Sequence, residues 1–85
     1  MRIISQDKQT DIPYKRSILI IETVNEGTFY IHAYIYDKYF WLGTYHSLED
    51  AKAVLRIIVS NKKAGTNCYE MPQANEDLGY AYRVM

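Results

Sequence analysis

The residues whose types could do chemistry are few: His32, His46, Cys68 and two adjacent carboxylate pairs, Glu49-Asp50 and Glu76-Asp77. A protein metal site needs three or four His, Cys or carboxylate ligands converging on one point. His32 and His46 fall on different elements and Cys68 has no second cysteine, so no metal and no cofactor are expected. A Cys68–His46 nucleophile pair would require the base within hydrogen-bond reach of the thiol. A lone cysteine beside a strand reads more simply as a small core residue. The first carboxylate pair is accounted for by helix capping and the second by a solvated loop. The glycines at 27, 43, 65 and 79 are too scattered to cradle a phosphate. Nothing in this inventory calls for an enzyme.

The other chemistry available is that of aromatic surfaces. The stretch Thr28 to Tyr45, TFYIHAYIYDKYFWLGTY, reads as a β-hairpin with two unlike faces. Side chains alternate across a strand. Phe29, Ile31, Ala33 and Ile35 therefore share one face, and Tyr30, His32, Tyr34 and Tyr36 the other. A two-residue Asp37-Lys38 turn would pair Tyr36 with Tyr39, Tyr34 with Trp41, His32 with Gly43 and Tyr30 with Tyr45. Cross-strand partners share a face, so this register gathers Tyr30, His32, Tyr34, Tyr36, Tyr39, Trp41 and Tyr45 on one side. Asp-Lys is not a favoured hairpin turn, so the pairing is better specified than the loop.

The elements that must position this face follow from the pattern on either side. Arg2 to Ser5 is a short strand. Asp11 to Tyr14 is extended, and Pro13 confines it to an edge or a bulge. Ser17 to Val24 is a strand, joined by a three-residue loop Asn25-Glu26-Gly27 that pairs Ile21 with Ile31, Leu19 with Ala33 and Ile20 with His32. Ser47 caps a helix with Glu49 and Asp50 in its first turn, where the helix dipole favours acids. Leu48, Ala51, Val54, Leu55 and Ile58 form its apolar stripe, with Glu49, Lys52, Arg56 and Asn61 outward. Ala64-Gly65 ends it. Residues 67–72 make a short strand stopped by Pro72, and Tyr80 to Met85 is a terminal strand or a loose tail. The expected fold is α+β: an antiparallel meander of about five strands with one helix, residues 47–64, on its aliphatic face, all in a single domain, 1–85.

Net charge is zero and charged residues are 24% of the chain. Long-range attraction to nucleic acid or an anionic membrane calls for a basic excess, so neither partner is expected. No apolar run approaches the roughly 18 residues of a membrane span. No leader is visible, because Met1-Arg2-Ile3-Ile4 runs straight into polar residues. One cysteine excludes an internal disulfide. These features point to a cytoplasmic protein.

The opening Met1-Arg2-Ile3-Ile4-Ser5-Gln6-Asp7, with Asp11-Ile12-Pro13-Tyr14, resembles that of a family of small proteins from Firmicutes, their phages and mobile elements. Tyr45-His46-Ser47-Leu48-Glu49-Asp50-Ala51 is similar to the family's helix start, and Tyr69-Glu70-Met71-Pro72 to its aromatic–x–hydrophobic–Pro segment. The density of tyrosine in residues 30–45 departs from the family and marks a specialised branch. The resemblance implies a phage or prophage setting rather than a reaction.

One helix covers one face of a sheet, and the aromatic face needs an explanation. Tyrosine and tryptophan dominate interaction hot spots, and large apolar patches mark interfaces. Three readings stay open: the chain's own termini fold over the face, a second copy covers it as a homodimer, or it recognises another molecule. In the last case the chain is an accessory protein that binds a host protein and inhibits or modulates it, in the manner of anti-CRISPR and other anti-defence proteins. The alternative is a small-molecule or nucleotide sequesterer whose rings stack on bases. Tyr34, Tyr36, Tyr39 and Trp41 are the expected contact residues.

Overall fold

The structure is a computed structural model, and it describes residues 1–74. The terminal strand expected over Tyr80 to Met85 lies outside the described residues. The fold is α+β, as the residue pattern indicates. Its elements are β1 (Arg2–Ile4), β2 (Asp11–Pro13), a tight helical turn (Tyr14–Arg16), β3 (Ile18–Asn25), β4 (Thr28–Ile35), β5 (Lys38–Tyr45), α1 (Leu48–Lys63) and β6 (Cys68–Glu70).

The strands divide between two sheets instead of continuing one meander. β3-β4-β5 is an antiparallel meander; β2-β1-β6 is a second sheet in which β1 pairs with β6 in parallel, Ile3 opposite Tyr69. Parallel pairing needs a long crossover, and here the crossover is the whole meander plus α1. β2 is an edge strand, as Pro13 requires.

One core forms where the two sheets and the helix meet. It contains Ile3, Ile12, Ile31, Ala33, Leu42, Tyr45, Ala51, Val54, Ile58 and Met71. Helix α1 lies against β3, β4 and β5. Ser47 caps it, its Oγ accepting the Asp50 N–H at 3.0 Å. The buried stripe is rotated from the expected one: Ala53 and Ile57 are buried while Leu48 is exposed. Asn61, expected outward, is half-buried, because its amide donates to the Ile57 carbonyl and accepts from Thr66 Oγ1. Cys68 is exposed, which corrects its reading as a core residue.

The β1–β2 turn is held by a small polar network around the buried Ser5. Its Oγ receives the Thr10 N–H (3.1 Å) and donates to Asp7 Oδ1 (2.5 Å), which also receives the Gln9 N–H (3.1 Å). These bonds favour the ionised carboxylate, the Ser5 hydroxyl contributing most, and hold Asp7 below the ordinary 3.8. A carboxylate depressed in the folded state stabilises above its unfolded value, and that contribution disappears as pH falls through the folded one. The acid limb of the stability curve should therefore be shallower in Asp7→Asn than in the parent when both are titrated by denaturant unfolding.

Candidate functional site

The meander builds the site. β3 and β4 pair as the alternation predicts: Ile21 with Ile31, Leu19 with Ala33 and Ile20 with His32. The connecting loop is shorter than expected. Asn25 pairs with Thr28, Glu26-Gly27 makes the turn with Gly27 at φ +83°, and the odd residue is absorbed as an irregularity at Val24.

β4 and β5 differ more from the expected register. The turn is Tyr36-Asp37, so Ile35 pairs with Lys38, Tyr34 with Tyr39 and His32 with Trp41. A shift of two residues leaves every side chain on its expected face, which is why Tyr39 and Trp41 still join His32 and Tyr34. A bulge at Leu42 then inserts an extra residue, after which Ile31 opposes Gly43, Tyr30 opposes Thr44 and Phe29 opposes Tyr45. Beyond the bulge the faces are exchanged. Thr44 sits on the aromatic side, and Tyr45 turns into the core with no exposed surface. Tyr45 is thus not a member of the aromatic face. Its hydroxyl donates to the Pro72 carbonyl at 2.7 Å.

Gly43 is the residue that permits this. A Cβ there would lie 3.0 Å from Gln6 Cδ and 3.1 Å from the Tyr45 hydroxyl. Gln6 fills the space: its backbone N–H reaches the Leu42 carbonyl (2.8 Å), its Oε1 receives the Thr44 N–H (2.8 Å), and its Nε2 donates to the carbonyls of Thr44 (3.2 Å) and Pro72 (2.9 Å).

Tyr36 also leaves the expected arrangement. It occupies the first turn position at φ +56°, where a two-residue turn of this kind normally has glycine, and its side chain is exposed at the hairpin tip. Its hydroxyl accepts from Arg16 Nη1 at 3.2 Å.

The face that results carries Ile18, Ile20 and Glu22 from β3, Tyr30, His32 and Tyr34 from β4, and Tyr39, Trp41 and Thr44 from β5. None of these side chains joins the core cluster. His32 is at the centre. Its ring meets Tyr30 edge-on at 5.6 Å and Tyr39 at 6.1 Å; the Tyr34 and Tyr39 rings lie 4.8 Å apart. Trp41 is oriented by its Nε1, which donates to Thr44 Oγ1 at 3.0 Å. The His32 side chain is only 16% exposed, and its Nδ1 makes no hydrogen bond. Glu22 Oε2 stands 3.5 Å from it, at the outer limit of hydrogen-bond reach, and no bond is formed. A buried ring nitrogen with no partner costs free energy, so this face holds an unmet polar group beside a carboxylate and four aromatic rings. Alternation along β4 and β5 indicated the aromatic group; Glu22, on the neighbouring strand, joins it through the β3–β4 register, opposite Tyr30.

Among the described residues no group of three or more His, Cys, Asp or Glu is placed to hold a metal ion. Among them, too, no helix is long and apolar enough to cross a membrane. Comparison with protein-family profiles, with curated proteins and with solved structures finds no match for this chain.

Proposed function

We propose that this chain is a non-catalytic accessory protein, of the phage-borne kind its opening resembles, which binds another protein through the open face of the meander and thereby inhibits or modulates it in the host cytoplasm. The single observation that supports this reading is the concentration of Tyr30, Tyr34, Tyr39 and Trp41 around His32, on the side of the sheet away from the core. The composition of the face favours a partner of basic chemistry. Aromatic rings beside Glu22 favour an arginine or lysine, which gains cation–π contact from the rings and an ion pair from the carboxylate. A bacterial defence component with an exposed basic side chain at its working surface is a target of that kind. Phosphate would meet Glu22 rather than a lysine on this face, which weighs against nucleotide sequestration.

The test places a photo-crosslinking side chain at position 39, where Tyr39 is exposed, or at Lys52 on the outer side of α1. Irradiation in the host should yield one stoichiometric protein adduct from position 39 and none from position 52. Tyr39→Ala should weaken the purified complex by about 2 kcal/mol or more while leaving the melting temperature unchanged. Equal adducts from both positions, or quenching of Trp41 and thermal stabilisation by a nucleotide in place of a protein adduct, would refute the reading.

A further inference from the structure

The two edges of the meander are finished differently. The C-terminal part of the β5 edge is closed by Gln6, whose main-chain N–H and side-chain amide take the places a fourth strand would fill opposite Leu42 and Thr44. Among the described residues, no hydrogen bond from outside the sheet reaches the backbone of β3. Protein edges are usually blunted with lysine, proline or a covering element. β3 carries Glu22 and the Val24 irregularity in its second half, but its first half is four aliphatic residues, Ile18-Leu19-Ile20-Ile21, and Ile18 is 61% exposed. Alongside this edge, on the helix side, runs a groove of about 390 Å³ lined by Tyr14, Leu19, Leu55 and Val59, with Lys15 and Lys62 on its rim. A free strand edge with an apolar groove beside it is what strand addition uses: main-chain bonds supply affinity and the groove seats a side chain of the incoming strand.

We infer that the occupant is a second copy of this chain, its β3 paired antiparallel to the first across a two-fold axis. The edge is its own charge complement. Lys15 and Arg16 precede β3, Glu22 lies on it and Glu26 follows it. Antiparallel pairing of two such edges sets the basic end of each against the acidic end of the other. Pairing centred on Ile21 brings Arg16 opposite Glu26 of the second copy. The product is a continuous six-stranded sheet with both helices on one side and both aromatic faces on the other. A two-fold contact of this kind is closed, and Gln6 blocks each outer edge at Leu42 and Thr44. This inference does not depend on the partner proposed above, because it leaves both aromatic faces uncovered.

The experiment is sedimentation of the purified chain over a concentration series, with hydrogen exchange read in parallel. A monomer–dimer equilibrium is expected, with the amides of β3 exchanging more slowly as concentration rises. Ile18→Lys should weaken the dimer by about tenfold or more and leave the melting temperature of the monomer unchanged. Lys15→Glu/Arg16→Glu and Glu22→Lys/Glu26→Lys should each be monomeric alone and should form a heterodimer when mixed, since like charges oppose association and unlike charges restore it. A wild-type chain monomeric throughout, a dimer that survives both charge variants, or one dissolved by Tyr39→Ala but not by Ile18→Lys would overturn the inference.

Discussion

A Tyr45→Ala variant is expected to lose about 3–5 kcal/mol of folding free energy, read as a lowered midpoint in denaturant unfolding. The folded state of a chain this size is worth only about 4–13 kcal/mol, so the loss would remove a large share of it. The magnitude follows from position. Tyr45 has no exposed surface, sits in the core with Ile31, Leu42 and Met71, and its hydroxyl donates to the Pro72 carbonyl. Removing the ring opens a large cavity and removes one of the bonds that tie the segment after β6 to the meander. Tyr45→Phe separates the two effects: it keeps the packing and should cost about 1 kcal/mol, the usual net worth of one hydrogen bond. An alanine at position 45 that behaved like one at the exposed Tyr39, within about 0.5 kcal/mol of the parent, would contradict the bulged register of β5.

The second large effect is one of opposite signs. His32→Phe should raise the stability of the chain by about 1 kcal/mol and at the same time weaken partner binding by about tenfold or more. Phenylalanine retains the ring contacts with Tyr30 and Tyr39 but eliminates the buried Nδ1 that has no hydrogen-bond partner. Replacing an unsatisfied polar group by an apolar one of the same shape is neutral or stabilising. Binding suffers because Glu22, whose carboxylate stands 3.5 Å from the imidazole, is left against an apolar ring and loses the neighbour that sets its position for an arriving cation. Thermal melting and titration with the crosslinked partner give the two readouts. A destabilised His32→Phe variant would mean that the imidazole is bonded in the folded state.

Much of this fold is legible in the residues because one physical rule dominated locally. Ser47 with Glu49 and Asp50 located the start of α1, and the aliphatic alternation of Ile18 to Ile21 against Ile31 and Ala33 fixed the β3–β4 register. The aromatic group Tyr30, His32, Tyr34, Tyr39 and Trp41 follows from alternation alone and survives a two-residue shift in pairing. What alternation cannot express is an added residue. Leu42 and Gly43 both turn toward the core, so every position after them reverses, and Tyr45 and Thr44 exchange places. Gly43 is the local trace of that reversal, since a strand-interior glycine marks a bulge or a close approach. Its cause is remote: Gln6 needs the space. The split into two sheets was hidden for the same reason, because the pairing of β1 with β6 joins residues that nothing in their own sequences links.

That parallel pairing also sets an order of assembly. Arg2 pairs with Pro13 on one side and with Cys68 on the other, so the second side of β1 can be completed only by closing a loop that spans the meander and the helix. Such closure loses more chain entropy than the short turns at Glu26-Gly27 and Tyr36-Asp37, and contacts distant in sequence form late. The expected order is that the strands carrying Tyr30, His32, Tyr34 and Trp41 come together while Ile3 has only β2 beside it, so that the aromatic face forms before β6 closes the molecule as a latch.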